Sequence, residues 1–149
     1  MMVKKIAILS PGDMGHAVGQ ALSEHGFELL TCLAGRSDRT GALARDAGFR
    51  VSETLNDLMV EADLLLSILV PANAETVAQE IAQSLQETGE STLIADCNAI
   101  SPMRSEYISR IIESAGGRFI DASIIGHPPG RGVPPRFYVS GQYADAMLD

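Results

Sequence analysis

The stretch KKIAILSPGDMG, residues 4–15, decides the fold of this chain. Its apolar first half, 4–9, predicts a buried strand, and residues 14–25 carry Val18, Leu22 and smaller residues at helical spacing. Between strand and helix lies a turn that matches the pattern G-x-G-x-x-G, with a serine in place of the first glycine; it consists of Ser10, Pro11, Gly12, Asp13, Met14 and Gly15. A strand, a glycine turn and a helix in this order predict the first unit of a doubly wound α/β fold.

Outward from this unit, strand and helix patterns alternate along the chain. Further strands are predicted at residues 28–33, 49–51, 63–70, 93–97 and 118–122, with a last short strand at 137–140. Helices are predicted at residues 40–47 and 73–86, from Ser52 as N-cap to 62, and from Ser101 and Pro102 to 115. Because strands that alternate with helices form right-handed parallel units, we predict a Rossmann-like doubly wound parallel sheet of order 3-2-1-4-5-6.

The domain organisation follows from the same pattern. Residues 1–140 are expected to form one dinucleotide-binding domain. Residues 141–149, GQYADAMLD, resemble the start of a connecting helix, and they carry none of the signals that end one. We therefore expect that the chain is truncated and that a second, helical domain is absent from it.

Composition narrows the classes of function. The chain of 149 residues has a net charge of −8, which argues against nucleic-acid and acidic-membrane partners, because both need a basic face. No apolar run approaches the roughly 18 residues of a membrane span. Cys32 and Cys97 lie singly in apolar runs without zinc spacing, so we expect no metal site and a cytoplasmic location. The expected partner is a small molecule.

The glycine turn and the end of the second strand indicate which small molecule the chain binds. Gly12 would let the backbone approach a pyrophosphate, Gly15 would let the helix pack close to the strand, and the helix N-terminus would offer N–H groups to the phosphates. An acid at the end of the second strand would bind the ribose hydroxyls of NAD, but the first acid there is Asp38. Arg36 and Ser37 suit a 2′-phosphate instead. We therefore predict NADP as the cofactor, with NAD as the alternative.

Five segments, taken in order, resemble a known family: IAILSPGDMG, GRS, LLLSILVP, ADCNAISP and DASIIG. They are similar to the NAD-binding domain of the 3-hydroxyisobutyrate and 6-phosphogluconate dehydrogenases, the β-hydroxyacid dehydrogenase family, over nearly all of residues 3–126. The segments GRSDRT and IIGHPPGRG resemble most an uncharacterised phosphogluconate-dehydrogenase-like branch. The resemblance implies an NAD(P)-dependent oxidoreductase that transfers hydride to or from a small hydroxyacid, carbonyl or imine.

The resemblance also implies roles for individual residues. Val70 and Pro71 would pass over the ribose and the nicotinamide, and Asn98 would lie near the nicotinamide ribose. Candidate substrate contacts are Asn98, Ser123, Gly126 and His127. The family usually has Ser-Gly-Gly where this chain has Ile-Gly-His at residues 125–127. A hydroxyl that would bind substrate is therefore replaced, and the familiar hydroxyacid substrates are in question.

No catalytic residue is assigned within the chain. The family's acid/base lysine lies on a helix after the dinucleotide domain, whereas Lys4 and Lys5 open the first strand, at the edge opposite the cofactor crevice. We therefore expect an inactive fragment of an enzyme, with His127 as the first alternative catalytic group and a homodimer through the second domain. Asp96 and Asp121 are predicted to end strands, either as acid/base groups or, more commonly, in caps and turns.

Two other interpretations of the same residues stay open. One is a non-catalytic dinucleotide-binding or sensor module with this fold. The other is a different ligand on a similar sheet, as in a deazaflavin-linked reductase or a methyltransferase. Arg36 argues against a methyltransferase, because S-adenosylmethionine needs a carboxylate there for its ribose hydroxyls.

Overall fold

The structure is a computed structural model that describes residues 3–9, 13–32, 38–69, 71–98, 100–125 and 136–147. The strands in these ranges are β1 Lys5–Leu9, β2 Glu28–Cys32, β3 Arg50–Ser52, β4 Leu64–Ser67, β5 Leu93–Asp96, β6 Arg118–Ile125 and β7 Arg136–Ser140. The helices are α1 Asp13–Glu24, α2 Asp38–Asp46, α3 Leu55–Glu61, α4 Ala74–Thr88 and α5 Pro102–Ser114, with short 3₁₀ turns at Pro71–Asn73 and Ala144–Met147. The predicted alternation of strands and helices is confirmed.

The strands form one sheet in the order β3-β2-β1-β4-β5-β6-β7. β1 is an interior strand with β2 and β4 beside it, and all neighbours from β3 to β6 pair in parallel. The Rossmann-like class and the predicted order 3-2-1-4-5-6 are confirmed. β7 adds an antiparallel strand, because β6 continues beyond the predicted end at Ala122 to Ile125 and pairs there with Arg136–Ser140.

Aliphatic side chains cover both faces of the sheet. Alternate residues of β1 point to opposite faces. Ala7 and Leu9 belong to a first core, which α3, α4 and α5 cover, whereas Ile6 and Ile8 belong to a second core, which α1 and α2 cover. The 3₁₀ turn Ala144–Met147 also packs against the second core. Helices on both faces explain why the central strands are apolar without alternation.

The N-caps of two helices show where local prediction succeeds and fails. Ser101 caps α5 ahead of Pro102, as predicted. Ser52 is predicted to cap α3, which is wrong, because it lies in β3 and is buried. The cap is Thr54, whose side-chain oxygen accepts a backbone hydrogen bond from the first turn of α3 at 3.1 Å. Ser52 belongs to β3, which pairs with β2, so the next residue with a hydroxyl group, Thr54, caps α3.

The connecting helix predicted at 141–149 is a 3₁₀ turn over its described part. The Ala144 N–H donates to the Gly141 carbonyl at 3.2 Å, and the Ala146 N–H donates to the Tyr143 carbonyl at 3.1 Å. These bonds link residues three apart, which is the tighter 3₁₀ pattern that rarely extends beyond a few residues.

None of the helices in the described ranges combines the length and the apolar character that a membrane crossing requires. The same ranges contain no group of three or more His, Cys, Asp and Glu side chains that is placed to bind a metal ion.

We expect Gly19→Ala to lower the free energy of unfolding by about 1–3 kcal/mol, because it overpacks the second core. A Cβ atom at Gly19 would lie 2.3 and 2.6 Å from ring carbons of Phe49, a side chain that is only 7% exposed. Helix propensity alone predicts the opposite sign, a gain of about 1 kcal/mol. Urea unfolding followed by circular dichroism measures the difference.

The matched background for this test is Phe49→Leu, which removes the obstructing ring. There we expect Gly19→Ala to cost less than about 0.5 kcal/mol, since the two residues are in direct contact and their effects should not add. An equal cost in both backgrounds would show that the ring contact is not the cause.

Candidate functional site

The carboxyl ends of the parallel strands meet at one edge of the sheet, which we call the carboxyl edge. β1 ends there at Leu9 and the neighbouring β4 ends there at Ser67. From these two ends the chain departs in opposite directions, to β2 on one side and to β5 on the other. α1 begins at Asp13 and the 3₁₀ turn that leads into α4 begins at Pro71, so both helix starts lie at this edge. Open α/β sheets bind ligands in the crevice at such a switch point.

Just beyond their ends, β4 and β5 stay joined by hydrogen bonds. The Cys97 N–H donates to the Ser67 carbonyl at 3.0 Å, which extends the strand pairing by one step. The side-chain oxygen of Asn98 accepts the Leu69 N–H at 2.6 Å, and its Nδ2 donates to Ser67 Oγ at 3.3 Å. We call Ser67, Leu69, Asp96 and Asn98 the polar clamp.

The charged member of the polar clamp is Asp96, which is only 3% exposed. Its carboxylate accepts the Asn98 N–H at 2.9 Å, which is the turn role predicted for it. Burial raises the pKa of Asp96 above its ordinary value, although the hydrogen bonds from Asn98 oppose this shift. Asp121 raises the pKa further and Arg104 lowers it, both by charge. The net rise means that the ionised carboxylate destabilises the folded state.

Asp96 is part of a polar row across the sheet. Ser67, Asp96, Asp121 and Ser140 occupy paired positions on β4, β5, β6 and β7. Asp121 does not end its strand, contrary to prediction, because β6 continues to Ile125. Ser67 and Asp96 line a cavity of about 10 Å³ under α4 and α5, which is too small for a ligand. Asp121 and Ser140 line an open groove of about 260 Å³ beside α5.

An ion pair joins the starts of α4 and α5. The Arg104 Nε donates to Glu75 Oε1 at 3.1 Å, and both side chains are partly exposed. Such exposed pairs contribute little to stability. The pair therefore lies across two helix starts that the packing of α4 and α5 in the first core already places side by side.

The predicted site residues fall into two groups. The first turn of α1 contains Asp13, Met14 and Gly15, and Met14 packs against the second core. Pro71 opens the 3₁₀ turn after β4, and Asn98 follows β5, so both lie at the carboxyl edge. Ser123 is half-buried on β6. The others lie outside the described residues: Ser10, Pro11, Gly12, Arg36, Ser37, Val70, Gly126 and His127.

The contacts within the polar clamp are not predicted from the sequence. Ser67 carries a signal, since it is the one polar residue in the run LLLSILV at 64–70. The pattern does not indicate its partner, because Ser67 and Asn98 are 31 positions apart. The two residues meet only because β4 and β5 pair.

The lysines lie where the sequence predicts. Lys5 opens β1, at the opposite edge from the crevice, and its Nζ is 4.0 Å from a carboxylate oxygen of Glu61. Lys4 precedes it. Neither lysine is placed to reach a ligand at the carboxyl edge.

The sequence is similar to known dinucleotide-binding domains. The sequence model of the NAD binding domain of 6-phosphogluconate dehydrogenase matches residues 5–145. Mitochondrial 3-hydroxyisobutyrate dehydrogenase from Bos taurus is 25% identical over 122 residues, which cover 81% of this chain and 36% of that protein. The chain spans less than half the length of the curated relatives it matches.

Solved structures share the fold. A conserved protein of unknown function with structural similarity to 3-hydroxyacid dehydrogenases superposes with a TM-score of 0.84 at 26% identity, covering 97% of this chain and 52% of that one. An imine reductase from Pseudomonas sp. superposes with a TM-score of 0.74 at 18% identity, covering 98% of this chain and 50% of that one. The second likeness shows the fold alone.

We expect Asp96→Asn to raise the unfolding temperature at pH 7, because it removes a buried charge and keeps an oxygen that can accept the Asn98 N–H. The folded-state pKa of Asp96 lies above its ordinary value of 3.8, so the penalty for ionisation is absent below pH 3.8 and complete above the folded-state pKa. The gain should therefore disappear as the pH falls toward 3.8. Thermal unfolding between pH 7 and pH 4 measures it.

The control is Asp145→Asn, which removes an exposed carboxylate from the 3₁₀ turn near the C-terminus. It should leave the unfolding temperature nearly unchanged at every pH. A gain for Asp96→Asn that does not depend on pH would contradict the assignment of a buried ionised carboxylate.

Proposed function

Because the chain belongs to the family of the NAD binding domain of 6-phosphogluconate dehydrogenase, we propose that its carboxyl edge binds NADP(H) in preference to NAD(H). Binding of a nicotinamide dinucleotide follows from the family, whereas the choice between the two and the residues involved are our proposal. The observation that carries the placement is the switch point between β1 and β4, where α1 and the turn leading into α4 both begin.

The described residues fit such a ligand. α1 begins four residues after β1 ends, and the first N–H groups of a helix have no partner within it. These donors, together with the helix dipole, suit a pyrophosphate. Gly15 lies in this first turn and is buried, as expected for close packing of helix against strand.

The remaining contacts are proposed from the sequence pattern. The turn at residues 10–15 would hold the pyrophosphate, with Gly12 at the closest approach. Arg36 and Ser37 would bind the 2′-phosphate of NADP, and arginine suits this role because it can make two parallel hydrogen bonds to phosphate. Val70 and Pro71, after β4, would lie along the nicotinamide ribose.

We propose further that the longer protein is an oxidoreductase. A bound nicotinamide would donate hydride to a carbonyl or imine or accept it from a hydroxyacid, and the protein would supply position and environment. The substrate would be a small hydroxyacid, carbonyl or imine that contacts Ser123, Gly126 and His127. The acid/base lysine that the family resemblance implies is neither Lys4 nor Lys5, which lie at the opposite edge.

A non-catalytic sensor is the second candidate. The observation that favours it is Ile125, which is 61% exposed at the end of β6 and stands where the related enzymes usually carry a substrate-binding serine. An exposed apolar side chain cannot hydrogen-bond a substrate carboxylate. The two candidates differ in whether the longer protein turns over NADPH.

We expect the chain to bind NADPH about 10- to 100-fold more tightly than NADH, because a hydrogen bond to a charged phosphate contributes about 1.5–3 kcal/mol. Arg36→Ala should remove most of this preference by weakening NADPH and leaving NADH unchanged. Titration of both cofactors by their fluorescence measures the two dissociation constants.

The matched control is Arg45→Ala, which removes the same charge from the last turn of α2, where the helix has crossed to the opposite edge of the sheet. Its NADPH affinity should stay within about twofold of the original, since exposed charges contribute little at such range. Equal affinities for NADPH and NADH in the unaltered chain would refute the NADP preference.

We expect the chain to bind NADPH without oxidising it. Lys4 and Lys5 lie at the wrong edge, and acid/base groups must come within hydrogen-bond reach of the reacting atoms. For this chain and for the longer protein, the absorbance of NADPH follows its loss with carbonyl and imine substrates, and its formation from NADP+ with hydroxyacid substrates. Turnover by the chain that His127→Ala abolishes would place a catalytic group within residues 1–149.

A further inference from the structure

The side chain of Asn98 is already occupied within the protein. Asn98 is 5% exposed, its amide oxygen accepts the Leu69 N–H at 2.6 Å, and its Nδ2 donates to Ser67 Oγ at 3.3 Å. A residue with both ends of its amide engaged has little left for a direct contact with a ribose. Resting on the function proposed above, we propose that Asn98 is a positioning residue, which sets the position of Leu69 and of the following 3₁₀ turn Pro71–Asn73 beside the nicotinamide half of the cofactor.

Among the described residues, the last backbone hydrogen bond between the β4 and β5 sides runs from the Cys97 N–H to the Ser67 carbonyl. Leu69 lies two residues further, is half-buried against the first core, and its N–H needs an acceptor. Asn98 supplies that acceptor from the β5 side. One side chain thus continues the connection between the strands where the backbone no longer does so.

The neighbours of Asn98 determine the orientation of its side-chain amide. A serine hydroxyl can accept a hydrogen bond from Nδ2, whereas the Leu69 N–H can only donate. The carboxylate of Asp96 can only accept, and it lies close enough for hydrogen bonds from both the backbone and the side chain of Asn98. A flipped amide would lose these contacts, so its neighbours select one orientation. Asn98 is therefore held from three sides.

The residues that follow Leu69 connect it to α4. Two residues after Leu69 the chain enters the 3₁₀ turn Pro71–Asn73 and then α4, whose Glu75 pairs with Arg104 of α5. Leu69 is thus held by Asn98, and Pro71–Asn73 lead directly into the start of α4. Loss of the bond from Asn98 should let Leu69 and the start of the 3₁₀ turn move, while α1 stays in place.

The positioning role predicts that a change at Asn98 weakens binding of whole NADPH but not binding of its adenosine half alone. Asn98→Leu keeps a side chain of similar size and removes both hydrogen-bonding groups. We expect it to weaken NADPH about 5- to 30-fold, the range that one or two lost hydrogen bonds produce. Adenosine 2′,5′-bisphosphate, which is the adenosine half alone, should bind with unchanged affinity. Isothermal titration calorimetry measures both ligands.

The matched control is Asn56→Leu. Asn56 is also hydrogen-bonded through both ends of its amide, to Ser84 and Glu87, but it joins α3 to the last turns of α4. It should lower the unfolding temperature and leave both affinities unchanged. Hydrogen exchange at the Leu69 amide gives a readout without ligand, since exchange should accelerate in Asn98→Leu and not in Asn56→Leu.

The outcomes separate the two proposals. If the unaltered chain binds neither NADPH nor NADH, the proposed function fails. If it binds and Asn98→Leu binds NADPH equally well, or loses the adenosine half to the same extent, the positioning role is overturned. If Asn98→Leu does not fold, Ser67→Ala takes its place, with the same selective loss expected at about 2- to 5-fold, because it removes a single acceptor.

Discussion

The burial of residues 6–9 of β1 is the constraint on which the rest of the structure depends. Residues 6–9 are each at most 4% exposed, so their backbone groups must pair with strands on both sides and their side chains must pack under helices on both faces. Because β2 and β4 pair with β1 in parallel, the chain must return to the other end of the sheet before each strand, and helices make these crossovers. The carboxyl ends therefore collect at one edge, and the ligand crevice results.

The polar clamp places polar side chains, one of them a carboxylate, in a mostly aliphatic interior. Ser67, Asp96 and Asn98 are all buried, and among the described residues every buried side-chain nitrogen or oxygen has a hydrogen-bond partner. A buried carboxylate with a raised pKa is unfavourable for stability. Its position next to the crevice suggests that stability is exchanged for a defined geometry, which is common where residues support a binding site.

The sequence predicts the fold well because each element carries its own signal. The apolar run of β4, the start of α1 four residues after β1 and the Ser101–Pro102 start of α5 depend on residues within a few positions of each other. Prediction fails where a local signal competes with pairing, as at Ser52, or where a strand extends by pairing with a later segment, as β6 does with β7. The antiparallel pairing of β7 has no local signature.

In the candidate site, too, local features could be predicted from the sequence and contacts between distant residues could not. The sequence by itself determined the class of fold, the strand order, the start of α1 after β1 and the presence of Pro71 and Asn98 at the carboxyl edge, because periodicity and turn chemistry are local. Only the tertiary structure decided that Asn98 bonds to Leu69 and Ser67, and that Asp96 is buried beside Asp121. Residues about 30 positions apart meet only after β4, β5 and β6 have aligned, and which hydrogen bonds and burial they share depends on that alignment.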